Sequence, residues 1–366
     1  MMNTIICTIV CLAMFAGAFD KLRDNKWGLG TKFDEGLAAF APLIVLMGGV
    51  LALTPAIAKF FTAYLVHICT WLHLDPAVCT GMLIANDCGA YHIAHSISSN
   101  PAAADFWGML VGGVIGVHFI FTIPVAVGMT QADDHKYIIK GLFCGLAGAL
   151  PGLLIGGLAA GNSLQFVLIQ LIPVLIFIII SGVMFAFCSR LAVRLCVLLG
   201  QVIGVVALVA VCLVFAAAVI DLGPVGKALP LMPLAEVISI VGMVTLTLPG
   251  AYVAAELFSR WTRKPLNKAG KCLKLDHVSI TAMVISLANT LPVFGMTRQM
   301  SPLGKTVAYA FMAGSSFALG DHLAFCTATK AELTVPMLIA KLATAFFGAL
   351  LAWFIFRRST ENTQNT

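Results

Sequence analysis

The sequence predicts an all-α polytopic integral membrane protein, with about nine spanning helices and two re-entrant helical hairpins arranged as an inverted repeat. Three observations lead there. Apolar residues make up 60% of the 366-residue chain and charged residues only 10%, where soluble globular proteins carry about 25% charged residues; the mean hydropathy is +0.99. Apolar runs of the roughly 20 residues needed to cross a bilayer recur along the whole length. Two of those runs are interrupted at mid-length by turn formers, ANDCG at 85–89 and ANTLP at 288–292.

The runs fall at about 2–19, 37–61, 76–98, 105–129, 138–160, 164–188, 192–220, 232–258, 277–297, 305–328 and 333–356. The first has Ala16-Gly17-Ala18 near its end, like a cleavage site, but the basic residues Lys21, Arg23 and Lys26 follow the apolar stretch instead of preceding it. Signal peptides place them the other way round, so a retained helix with its N-terminus outside is expected. The net charge of +6 does not imply nucleic acid, because the Lys and Arg residues sit in short loops between apolar runs. The 11 cysteines form no CxxC pattern and read as small apolar packing residues.

Topology follows from the basic loops. Lys21, Arg23, Lys26 and Lys32 precede the second run; Arg260, Arg263, Lys264, Lys268, Lys271 and Lys274 follow the eighth. Both loops should be cytoplasmic. Eleven crossings would put them on opposite faces. If 76–98 and 277–297 instead enter and leave on one side, the conflict disappears, and only Lys59, Lys227 and Lys330 remain outside. The expected organisation is a first helix and cytoplasmic loop at 1–36, a first repeat at 37–163, linking helices at 164–231, an inverted second repeat at 232–356, and a disordered cytoplasmic tail at 357–366.

The repeats are visible as short matches in the same order. IANDCGAY (84–91) aligns with LANTLPVF (287–294), GVHFIF (116–121) with GDHLAF (320–325), and LALTP (51–55) with LTLP (246–249). Inverted repeats with broken helices are the architecture of secondary transporters, with the substrate site near the midplane where the breaks meet. Glycines at 108, 112 and 116 lie on one helix face and invite a half-helix to pack closely; Gly141, Gly145, Gly152 and Gly156 suggest the same for the next helix.

Two acidic residues fall deep in apolar runs, Asp87 at the first break and Asp321 after the second. A charge at the bilayer centre costs roughly 2.5–3.5 kcal/mol on insertion scales and is commonly functional. His322 and His118 hold equivalent places in the two repeats, and Asn86, Asn289 and Thr290 offer neutral hydrogen-bonding groups at the breaks, where they also suit helix capping. Tyr91 and Phe294 suit packing first and an aromatic wall for a cation second. His92 and His95 are spaced i, i+3, but no third ligand is evident, so neither a metal nor a cofactor is expected.

The stretches LANTLPVFGMTRQMSPLGK (287–305), FALGDHLAF (317–325), GMLIANDCGAYHIAHSI (81–97) and EGLAAFAPLIVLMGGVLALTPAIA (35–58), with IPVAVG (123–128), resemble the ethanolamine permease family of bacterial ethanolamine utilisation. The resemblance covers most of the chain. It implies uptake of ethanolamine, a small protonated amino alcohol, by a multi-pass protein of the bacterial inner membrane. Its implied partners are that substrate and the lipid bilayer, with a homodimer left open. On this basis Asp321 or Asp87 is expected to meet the ammonium, and Asn289, Asn86 or His322 the hydroxyl. Composition and spacing alone give a secondary transporter without a substrate. An ion-coupled symporter of another small polar solute stays open beside it, as do a membrane-embedded acid–base enzyme and a channel. An anionic substrate is disfavoured because the sequence places no Lys or Arg near either break.

Overall fold

The computed structural model describes residues 2–72, 74–220 and 229–364. Among them every regular element is helical, and seven helices are long and apolar enough to cross a membrane. The protein is therefore a polytopic membrane protein. In order, α1 is Met2–Leu22, α2 Leu29–Ala38, α3 Phe40–Ala52, α4 Thr54–Trp71, α5 Val78–Leu83 and α6 Tyr91–Ile97; α7 is a helical run over 101–129. Then come α8 His135–Ala159, α9 Leu164–Val219, α10 Leu234–Cys272, α11 His277–Ser286, α12 Leu291–Met296, α13 Pro302–Ser315, α14 Asp321–Thr329 and α15 Thr334–Gln364.

Several boundaries differ from expectation, each for a local reason. The run expected at 37–61 ends at Ala52; the chain bends at Leu53 and restarts as α4, with Pro55 in its first turn, where a missing N–H costs nothing. The long α9 is kinked at Cys188, which separates the spans Leu164–Phe185 and Arg190–Val219. The basic loop at 259–276 is helical as far as Cys272. The runs at 105–129 and 305–328, expected to span, are not among the seven. The first is threaded with π-helical turns at Phe106–Gly116 and His118–Thr122. The second is interrupted at 316–320, where Phe317 adopts φ 56° and the backbone pairs elsewhere, Phe317 N–H to Ser286 O (3.1 Å) and Leu319 N–H to Leu287 O (2.7 Å). The last helix continues through Gln364 over the described part of the tail. Lys227, counted among the outside charges, lies outside the described residues.

Both expected breaks are present. The first separates α5 from α6 at a kinked turn over Asn86–Ala90, where Gly89 takes φ 103°, a conformation that suits glycine. The second separates α11 from α12 at 287–290. The ends of each broken segment meet. Ser98 Oγ donates to Asp75 Oδ2 (2.8 Å), and Asp75 also caps the entry to α5 through Ala77 N–H (2.9 Å). Likewise Ser301 donates to Asp276 Oδ2 through N–H (3.0 Å) and Oγ (2.6 Å), while Asp276 caps α11 through Ser279 N–H (2.8 Å). Each acid thus ties the start of its segment to the serine at the segment's end.

The glycine face of α7 receives the first broken segment. A β-carbon at Gly108 would stand 2.7 Å from Tyr91 Cα, and one at Gly112 would stand 3.1 Å from Asn86 N. The first leaves no room for a side chain, and the second would push the neighbouring backbone by a few tenths of an ångström. Helix α8 lies antiparallel to α15: positions 145 and 148 pack by Gly348, and position 156 packs by Ala340 and Pro336. Helices α2 and α3 run antiparallel to α10 in the same way, with Gly36 beside Pro249 and Gly48 beside Val237 and Val241. Trp107, Tyr309, Phe106 and Phe325 fill the interior between these layers.

Candidate functional site

The two breaks and the interruption at 316–320 open on one cavity of about 590 Å³, lined in part by Asp87, Cys88, Asn289, Asp321 and His322, with Tyr252 from α10 and Lys32 and Glu35 from α2. The volume falls in the 300–1,000 Å³ range of small-molecule sites. Its aromatic surface comes from Phe121, Phe317 and Tyr252. Tyr91 and Phe294 pack elsewhere, Tyr91 on His95 (4.5 Å between centroids) and Phe294 on Tyr309 (6.2 Å).

Local folding explains how the acids reach this space. Asp87 is second in the kinked turn, and Gly89 two residues on reverses the chain so that α6 can follow. Asp321 opens α14 immediately after the 316–320 interruption, so its side chain sits at a helix start, where negative charge is favoured. Tyr252 Oη donates to Asp321 Oδ1 at 2.9 Å. Asp87 Oδ1 is buried without a hydrogen-bond partner and faces His322 Nε2 at 3.7 Å. The His322 ring stacks on Phe317 (5.8 Å, 29°).

Behind His322 stands a group that the sequence reading missed. Lys341, fully buried on α15, donates to the Gly113 carbonyl (2.5 Å) and lies 3.1 Å from His322 Nδ1. A lysine therefore does approach the first break, contrary to the expectation that none is near. Tyr252 was missed as well. Both signals were present, a lone Lys in the apolar run 333–356 and a lone Tyr in 232–258.

The remaining candidates divide. Asn289 borders the cavity, and its Oδ1 accepts from Leu291 N–H (2.9 Å), so it also caps α12. Asn86 and Thr290 are fully buried outside the lining; Asn86 Oδ1 and Thr290 Oγ1 have no hydrogen-bond partner. His118 is buried and held at both ring nitrogens, by Thr122 Oγ1 (3.1 Å) and the Ala313 carbonyl (2.5 Å), which makes it a brace between α7 and α13. His95 pairs with Asp105 (2.9 Å). Among the described residues no cluster of three or more His, Cys, Asp or Glu is placed to hold a metal.

Chemically, the lining is mostly apolar; its acids are Asp87, Asp321 and Glu35, the last paired with Lys32, and neutral Asn, Tyr and His groups capable of hydrogen bonding stand beside them. A family described as "Ethanolamine utilisation protein, EutH" matches residues 2–355. A protein of Listeria monocytogenes named "Probable ethanolamine permease EutH" is 35% identical over 93% of this chain and 90% of its own. The protein of the same name from Escherichia coli K12 is 32% identical over 90% of this chain and 85% of its own. An uncharacterised Bacillus subtilis protein, YxeR, is 31% identical over 96% and 94%. No solved structure matches.

Proposed function

We propose a function from one established premise: the chain belongs to the EutH family of ethanolamine utilisation proteins. The relatives' names as permeases support a transporter and count against a membrane-embedded enzyme. The reading is uptake of ethanolamine across the bacterial plasma membrane by alternating access at the cavity between the breaks. The N-terminus lies outside and the C-terminus in the cytoplasm.

The observation that carries it is the convergence of Asp87 and Asp321 on one chamber with Asn289, His322 and Tyr252. In this reading a carboxylate takes the ammonium through charge-assisted bonds, about twice as strong as neutral ones, while Asn289 or His322 takes the hydroxyl. Asn86 and Thr290 support the two tips, and His118 holds the frame. The acid–serine ties at Asp75–Ser98 and Asp276–Ser301 support reading both broken segments as re-entrant hairpins. The antiparallel packing of α8 on α15, and of α2–α3 on α10, supports an inverted repeat. Backbone that leaves helical bonding at this depth is tolerated where it is buried in protein or lines a wet cavity.

Ethanolamine has few atoms. At a ceiling of about −1.5 kcal/mol per non-hydrogen atom, binding stronger than roughly −6 kcal/mol is not attainable, so Kd is of the order of tens of micromolar or weaker. Ligand-dependent thermal stabilisation of the purified protein tests the assignment. Ethanolamine should stabilise it; choline, too bulky and without N–H donors, and ethylamine, without the hydroxyl, should do so less. Equal stabilisation by ethylamine would remove the hydroxyl contact, and none by any amine would remove the site.

A further inference from the structure

The charges lining and backing the cavity do not cancel. Lys32 and Glu35 on the α2 wall pair with each other (2.7 Å). Asp87 and Asp321 are two further acids, and against them stands one lysine, Lys341. The other titratable groups facing this set are uncharged donors or acceptors with local roles: Tyr252 on Asp321, Cys88 beside Asp87, and His118 held by Thr122 and Ala313. With Lys341 taken as the ammonium, which has no lone pair to offer, His322 Nδ1 is the acceptor in their contact. The ring proton is then on Nε2, facing Asp87. His322 is neutral in this arrangement, and the fully ionised set carries one negative charge in excess.

An uncompensated charge out of water costs several kcal/mol even after relaxation. A substrate ammonium removes that excess when the site is loaded, and one proton removes it when the site is empty. We propose that the protein is an electroneutral exchanger, in which one ethanolammonium displaces one proton from the Asp87–Asp321 pair. The inference rests on the transport reading above and adds its coupling. The balance is simple. As the cation enters, the O–H bond of the protonated carboxyl breaks and the proton passes to water on the open side. After release on the other face, a carboxylate takes a proton from water there. Inward movement of one organic cation accompanies outward movement of one proton, with no net charge carried. Lys341 sets the count at one by cancelling the other acid, and His322 carries its influence to Asp87.

Proteoliposomes on a supported electrode, with a luminal pH dye and labelled ethanolamine, test this; protein-free vesicles supply the background for uncharged amine. The expected result is protein-dependent uptake with no sustained current and about one proton exported per molecule. A uniporter of the ammonium form would instead respond to an inside-negative potential of about 100 mV with roughly 50-fold accumulation. That accumulation, or a sustained inward current, would overturn the exchange while leaving transport intact. No protein-dependent uptake at all would overturn the transport reading and the exchange with it. Calorimetry of wild-type protein in two buffers of different ionisation enthalpy gives a second readout: about one proton released per ethanolamine bound, and none if the exchange is wrong. In Asp87→Asn the empty set is already neutral, so its binding should release almost no proton; full release there would contradict the charge count.

Discussion

Lys341 and His322 are linked at 3.1 Å inside the buried core, and the other side of the His322 ring faces Asp87 at 3.7 Å. The contact ties α15, the last helix, to the first broken segment through α14. Elements far apart in sequence thus meet at Asp87.

Tyr252 donates to Asp321 from α10. Hydrogen bonds between helices in membranes average about 0.6 kcal/mol and reach about 1.7. Tyr252→Phe should therefore leave the thermal midpoint within a few degrees of wild type yet raise the KM for uptake several-fold, because the carboxylate loses its fixed orientation. An unchanged KM would make Tyr252 a packing residue.

Gly89 holds a positive φ, and a β-carbon there would stand 2.5 Å from Val50 Cγ1. Gly89→Ala should cost about 1–3 kcal/mol in backbone strain plus the clash, seen as a lower melting temperature. Adding Val50→Ala should recover the clash and leave the strain. Full recovery by the double variant would show that conformation at Gly89 is unimportant.

Asp276 lies outside the membrane-spanning segments. Burial pushes its carboxyl up, but hydrogen bonds from Ser279 and Ser301 outweigh burial and hold it below the usual carboxylate value of 3.8. A group lowered on folding contributes stability that is fully present above its unfolded value and lost as pH falls through the folded one. Thermal unfolding should thus be insensitive to this group at neutral pH and weaken below about pH 4. Asp276→Asn should be less stable at pH 7 and show a shallower loss on acidification; an identical acid profile would show that the tie contributes nothing.

If the broken segments are hairpins, their ends share a side of the membrane. In a cysteine-free background, Leu72→Cys and Ser99→Cys should both react with an impermeant thiol reagent from outside, and His277→Cys and Gln299→Cys both from the cytoplasm. Labelling of either pair from opposite sides would turn that hairpin into a crossing.

Much of this arrangement could be read from composition at single positions. Asp87 and Asp321 were visible because a charge in an apolar run is expensive, and both breaks because Asn, Gly and Pro interrupt helices. The glycine face of α7 was visible from its spacing. What escaped depended on partners distant in sequence. Lys341 looked like one polar residue in a spanning run until Gly113 and His322 supplied its bonds. The interruption at 316–320 escaped because its stability comes from pairing with Ser286 and Leu287. His118 matched His322 in the repeat alignment, yet its ring bonds Thr122 and Ala313 while His322 borders the cavity, a difference set by partners distant in sequence.

Uptake of labelled ethanolamine into proteoliposomes, comparing wild type with Asp321→Asn at equal amounts of inserted, monodisperse protein, tests the central claim most directly. Loss of a charged hydrogen-bond partner of about 1.5–3 kcal/mol predicts a fall of about 10- to 100-fold in the variant, against saturable uptake by wild type. Equal uptake by the two would contradict a site built on Asp321.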